Sequence, residues 1–190
     1  MKLFRRHYTP EEVGSMIYET LRAGMASSGD LSVKTLIDNL DRTEAELHDQ
    51  YVGEIMIGAM FGALLAIDRS TLPTTRDLIC RGMHREFYAH LGEQGASEDQ
   101  VLEWQVVVQE RFREYRRCME QYEGYEPPWK MGRQLFWNIT GAEEYLAMSI
   151  KIATLYVLAA RDTVQAVLNQ YGPSIQVLPD THTVTGQQSR

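Results

Sequence analysis

Thirteen consecutive residues, Ile55 to Ile67, carry no polar side chain. Glu54 and Asp68 bound this run, and it constrains the fold more than any other part of the chain. A helix that is apolar all round offers no face to water and has to be covered on every side. As a helix the run spans roughly 20 Å at about 1.5 Å per residue, short of the about 20 apolar residues that a bilayer crossing needs. A second apolar run, residues 145–160, is longer but has Lys151 near its middle, where a charge in lipid is expensive. The two runs predict a pair of central apolar helices inside a helical bundle, with a membrane-inserting helical hairpin as the weaker alternative. Gly58 and Gly62, continued by Ala66, form a small-residue stripe. That stripe predicts close approach of another helix, with Ser149, Ala153 and Ala160 as facing positions.

Helix starts are marked by a Ser or Thr followed three residues later by an acidic residue or its amide. The hydroxyl caps an orphan backbone N–H while the partner reaches back to the cap's own N–H. The pattern occurs at Thr9/Glu12, Thr43/Glu46, Thr74/Asp77, Ser97/Gln100 and Thr140/Glu143. A short helix over about residues 33–40, capped by Ser32, is expected between the first two. The helices opened by Thr43 and Thr74 are joined by a short link and should form an antiparallel hairpin. The helix opened by Ser97 steps through Val101, Trp104, Val108, Phe112, Tyr115, Met119 and Tyr122 as a heptad seam does, laying one stripe on the core. Over residues 123–139 the periodicity is lost, and Gly124, Pro127, Pro128 and Gly132 predict a structured connection around at most one short helix. Beyond Pro173 the chain is polar and turn-rich, with strand character only over residues 175–178.

The expectation is therefore an all-α, single-domain helical bundle over residues 1–173. It has five long helices plus one or two short ones, two of them apolar and central. Residues 174–190 form a mostly disordered C-terminal tail. The 190 residues, 44% hydrophobic and 24% charged, suffice for a core and exclude wholesale disorder. A formal charge of −7 repels nucleic acid and anionic lipid at long range. Arg5 and Arg6 lead into Thr9-Pro10-Glu11-Glu12 rather than an apolar stretch, which argues against a signal peptide. Cys80 and Cys118 lack ligand-like spacing and read as reduced thiols, in line with a cytoplasmic protein.

Two constellations carry candidate chemistry. Glu44 and His48, like Glu86 and His90, are four residues apart and lie one above the other on a helix. Helical projection turns both pairs partly inward, and the predicted hairpin brings Glu54 towards His90. A carboxylate and an imidazole from each of two helices can hold a divalent metal in a bundle. Glu44, His48, Glu54, Glu86 and His90 are thus the metal candidates. Against that reading, the Glu-x-x-His spacing of di-iron bundles is absent, and the hairpin register leaves the two histidines out of step by roughly 6 Å. Each glutamate bonding to its own histidine is the simpler arrangement, so no cofactor is expected, with a divalent metal as the alternative.

The second constellation is aromatic: Tyr122, Tyr125, Trp129, Phe136 and Trp137, with Lys130 and Arg133 between them. Rings beside cations suit a partner surface, which makes Tyr125, Trp129, Arg133 and Trp137 the candidate partner-binding residues. The simpler reading is a connection latched onto the bundle by its rings. The run Arg111, Arg113, Arg116 and Arg117 is balanced by Glu110, Glu114 and Glu120 and reads as a solvated helix face. No glycine-rich phosphate loop, nucleophile elbow, zinc spacing or dinucleotide fingerprint occurs. What remains is a small interaction or adaptor protein acting through a protein partner or as a homo-oligomer, without expected catalysis. A bundle that holds a metal or small ligand is the alternative.

Overall fold

The computed structural model describes residues 7–27, 29, 31, 49–121, 126–141 and 147–171. Among them are six helices: α1 (Pro10–Met25), α2 (Asp49–Ser70), α3 (Pro73–Glu93), α4 (Glu98–Glu120), α5 (Glu126–Thr140) and α6 (Ala147–Tyr171). These residues contain no strand, and no helix in them is long and apolar enough to cross a membrane. The apolar run occupies α2, which touches each of the other five helices. Every residue from Glu54 to Leu64 is buried, as a helix without a polar face requires. The expected short helix over residues 33–40, the Thr43 cap and the segment after Tyr171 lie outside the described residues.

The predicted hairpin of α2 and α3 does not form. The two helices diverge at their link, so that α3 lies along α1 and α2 lies along α6. Small residues set this pairing, because helices approach closely only where no side chain intervenes. A Cβ added at Gly82 would fall on the Glu11 carbonyl, and one at Gly14 would sit 2.7 Å from the Met83 nitrogen. The narrow face of α3 is therefore the one presented to α1. Gly62 does the same for α6, where a Cβ would lie 3.0 Å from that of Ala160 and press on the Val157 carbonyl. Ala160 is thus the facing residue expected, Ser149's side chain is outside those described, and Gly58 meets Leu135 of α5 instead. Asp68 closes the α2–α3 corner with an ion pair to Arg76 at 2.8 Å.

Two of the predicted capping boxes are formed, at Thr9/Glu12 and Ser97/Gln100. Thr74 is not a cap: α3 starts one residue earlier at Pro73, whose missing N–H costs nothing in the first turn, with no side-chain cap at Leu72. The larger correction is α5, a helix of 15 residues where a structured connection around at most one short helix is expected. Pro127 and Pro128 sit in its first turn, so they start the helix rather than interrupt it. Its core face is Met131, Leu135 and Ile139, spaced by four, with Phe136 beside them. Thr140 belongs to the end of this helix, donating its hydroxyl to the Phe136 carbonyl; Gly141 follows at φ 62.

Candidate functional site

Glu54 stands at the N-terminal edge of the apolar run of α2, and it is 1% exposed. A buried charge needs a partner, and α4 supplies Arg111. Its Nε donates to both Glu54 oxygens at 2.9 Å and its Nη2 donates to Oε1 at 2.7 Å. This is the two-pronged geometry for which a guanidinium is suited. The network continues outward. Arg111 Nη1 reaches Glu114 at 3.3 Å, and Asn138 of α5 donates to Glu114 at 3.3 Å and to the Tyr115 hydroxyl at 3.1 Å. Gln134 completes it by donating to Asn138 at 3.1 Å. Glu54's hydrogen bonds hold the guanidinium above its ordinary range, and burial pushes the Tyr115 phenol far up. The guanidinium stays charged and the phenol stays neutral near neutral pH.

Above this pair lies a cleft of about 1140 Å³. Tyr18 of α1, Met56 of α2, Phe87 of α3 and Trp104 of α4 supply its apolar walls, and Glu54 and Arg111 close its floor. The rings form a row, with Tyr18 and Phe87 centroids 6.2 Å apart and Phe87 edge-on to Trp104 at 6.2 Å. The outer edge of the Trp104 ring abuts the α2 backbone because position 53 is glycine; a Cβ there would overlap the indole. The rim is polar and exposed, with Arg22, Gln94, Gln100 and Glu103. One edge of it is fixed by the end of α3. There Gly95 adopts φ 94, and the N–H groups of Gly95 and Ala96 return to the Gly92 and Leu91 carbonyls at 3.0 Å each. That paired return is a Schellman motif, which a residue with a Cβ would strain.

The sequence-derived metal candidates separate. Glu54 and His90 both line the cleft, but the Glu54 carboxylate is taken by Arg111. Glu86 accepts from Ser15 of α1 at 2.9 Å and from Arg85 at 3.1 Å, which hold its carboxyl below the usual range, Ser15 most strongly. It does not bond to His90, whose Nδ1 lies 3.5 Å from Glu93 and whose ring sits 6.2 Å from that of Tyr18. Glu44 and His48 lie outside the described residues. Among the described residues no group of three or more His, Cys, Asp or Glu side chains is placed to hold a metal ion.

Of the partner-surface candidates, Trp129, Arg133 and Trp137 fall four apart on the outer face of α5, with the two indoles 38% and 36% exposed. Tyr125 lies outside the described residues. Among the described rings of the cluster, Phe136 is the one that is buried. No protein-family model, no curated protein and no solved structure matches the chain. The geometry alone carries the functional argument.

Sequence reasoning missed Arg111, and a signal for it existed. A strict heptad from Val101 runs through Trp104, Val108, Arg111 and Tyr115, in steps of three, four, three and four. Replacing Arg111 by its neighbour Phe112 made the seam look wholly apolar and concealed the cation opposite Glu54.

Proposed function

We propose that the protein is a binding protein whose ligand is a small amphipathic molecule held in the cleft above the Glu54–Arg111 pair. The observation that carries this reading is the cleft's composition: aromatic and methionine walls, a fixed ion pair beneath, and a polar rim. A mostly apolar recess with few convergent polar groups is the usual form of a small-molecule site. An apolar body would fit among Tyr18, Met56, Phe87 and Trp104, and a polar head would meet Arg22, Gln94 and Gln100. The described lining residues include no serine, threonine, cysteine or lysine, which favours binding over covalent catalysis by such a nucleophile. Val52, 47% exposed on the rim, gives a blocking variant. Solvent extraction and mass spectrometry of freshly purified protein should yield a bound amphiphile from the wild type and little from Val52→Trp. Equal yields from the two would contradict the reading.

A second reading is favoured by the α5 stripe. Tryptophan and arginine are the residue types that most often anchor protein contacts, and Trp129, Arg133 and Trp137 present both on one helical face. Contact with a protein partner or a second copy would run through this face. The heptad seam of α4 is used within the chain, with Phe112 and Tyr115 packed 5.7 and 5.2 Å from Phe61. Light scattering and pull-down with Trp129→Ala/Trp137→Ala separate this surface from the cleft.

A further inference from the structure

A separate groove runs between α3 and α4, about 540 Å³ in volume, with His84, Tyr88, Gln105, Gln109, Arg113 and Arg116 among its lining residues. The arginine run of α4 divides here: Arg111 turns into the core, whereas Arg113 and Arg116 stay at this groove. Gln105, Gln109, Arg113 and Arg116 step by four, four and three along one stripe of the helix. Among the described residues none of the four makes a hydrogen bond or an ion pair. Across from them the Nε2 atom of His84 is buried without any hydrogen-bond partner. Its ring is held 5.6 Å from Phe112 and 6.2 Å from Tyr88, and burial pulls the imidazole below its ordinary value.

These groups share one chemistry. Two guanidinium forks and two amides are all able to donate, and a neutral imidazole can donate from one nitrogen. His84 and the two unpaired arginines line a groove with no carboxylate among its described lining residues, in a chain of net charge −7. An acceptor-rich anion is the ligand class that complements such a lining. The geometry points to a binding site for a small phosphorylated ligand in the α3–α4 groove, with Arg113 and Arg116 gripping the phosphate and His84 donating from the floor. Guanidinium forks match phosphate oxygens two at a time, and the groove has room for a phosphate with a modest organic part.

Inorganic pyrophosphate is a suitable probe, titrated calorimetrically into the wild type, Arg113→Gln/Arg116→Gln and His84→Phe. Arg113 and Arg116 are exposed, so the double variant should melt with the wild type and still bind pyrophosphate about tenfold more weakly for each arginine removed. His84→Phe keeps a ring against Phe112 and should weaken binding severalfold. Absence of binding to the wild type, or unchanged affinity in the double variant, overturns the site. Unchanged affinity in His84→Phe removes the floor donor and overturns the arrangement. Single-stranded oligonucleotide bound far more tightly than pyrophosphate, increasingly with length, would make nucleic acid the occupant and overturn the small ligand.

Discussion

Arg111→Met is the perturbation with the most determined outcome. Arg111 gives Glu54 three hydrogen bonds of 2.7–2.9 Å. Glu54 is 1% exposed, so water cannot replace them. Removing one partner of a buried pair leaves the other charge uncompensated and costs about 3–5 kcal/mol. That is a large share of the about 5–15 kcal/mol by which a domain is stable, and it corresponds to a fall in Tm of roughly 6–20 °C for a chain of this size. Arg111 is itself partly accessible, its side chain 22% exposed, so Glu54→Leu, which frees a cation able to turn towards Glu114 and solvent, should cost less. The double variant Glu54→Leu/Arg111→Met should recover most of the loss, because an apolar pair in the same space is often as stable as the ion pair. Urea melts of the four proteins give the coupling energy directly. An Arg111→Met cost below about 1 kcal/mol, or single effects that simply add, would refute the claim that these two residues form a buried, interdependent pair.

Three further outcomes follow from the packing and charge. Gly62→Leu should destabilise by about 1–3 kcal/mol through overpacking against α6, and an unchanged thermal melt would contradict the close crossing at Val157 and Ala160. His84→Phe removes a buried unpartnered nitrogen and should stabilise the free protein by on the order of 1 kcal/mol. The gain should widen as pH falls below about 6.5, since the wild-type imidazole is held below its unfolded value and the unfolded chain takes up the extra proton. The Ser15–Glu86 bond depresses the Glu86 carboxyl, so its contribution is present above the unfolded carboxyl value of about 4.3 and is lost as pH drops through the lowered one. The Tm gap between the wild type and Ser15→Ala should therefore be open at neutral pH and close below about pH 4; a gap independent of pH would disprove the assignment.

The central helix was legible because an unbroken apolar run leaves only one way to satisfy water, and Thr9 and Ser97 because a capping box is a local interaction. The pairing of α3 with α1 was not legible. It depends on Gly14 meeting Gly82, residues far apart in sequence that no local pattern announces, whereas the small-residue stripe already points Gly62 at Ala160. The helix α5 was misread for a different reason: Pro127 and Pro128 break a helix from within but begin one from its first turn, and only the fourfold spacing of Met131, Leu135 and Ile139 distinguishes the two. At the site, Glu54 and His90 were singled out and both line the cleft. Their expected partnership was not met, because Arg111 occupies the carboxylate. The aromatic walls, Tyr18, Phe87 and Trp104, come from three helices and could not be grouped before those helices were placed. Both cysteines are free and half-buried, and burial pushes the Cys80 thiol up to about 11, which leaves it unreactive at neutral pH.

Trp104 itself provides the most direct test of the binding reading, since its indole forms one wall of the cleft. In a protein carrying Trp129→Phe and Trp137→Phe, Trp104 is the remaining tryptophan, and its fluorescence reports occupancy without interference from α5. Titration with anilinonaphthalene sulfonate, an apolar anion, should quench Trp104 saturably by energy transfer while the protein stays fully folded. Val52→Trp is unsuitable because it adds a second indole, so the blocking variant for this measurement is Val52→Phe, which should weaken the titration strongly. Quenching that never saturates, or that Val52→Phe leaves unaltered, would contradict a ligand site above the Glu54–Arg111 pair.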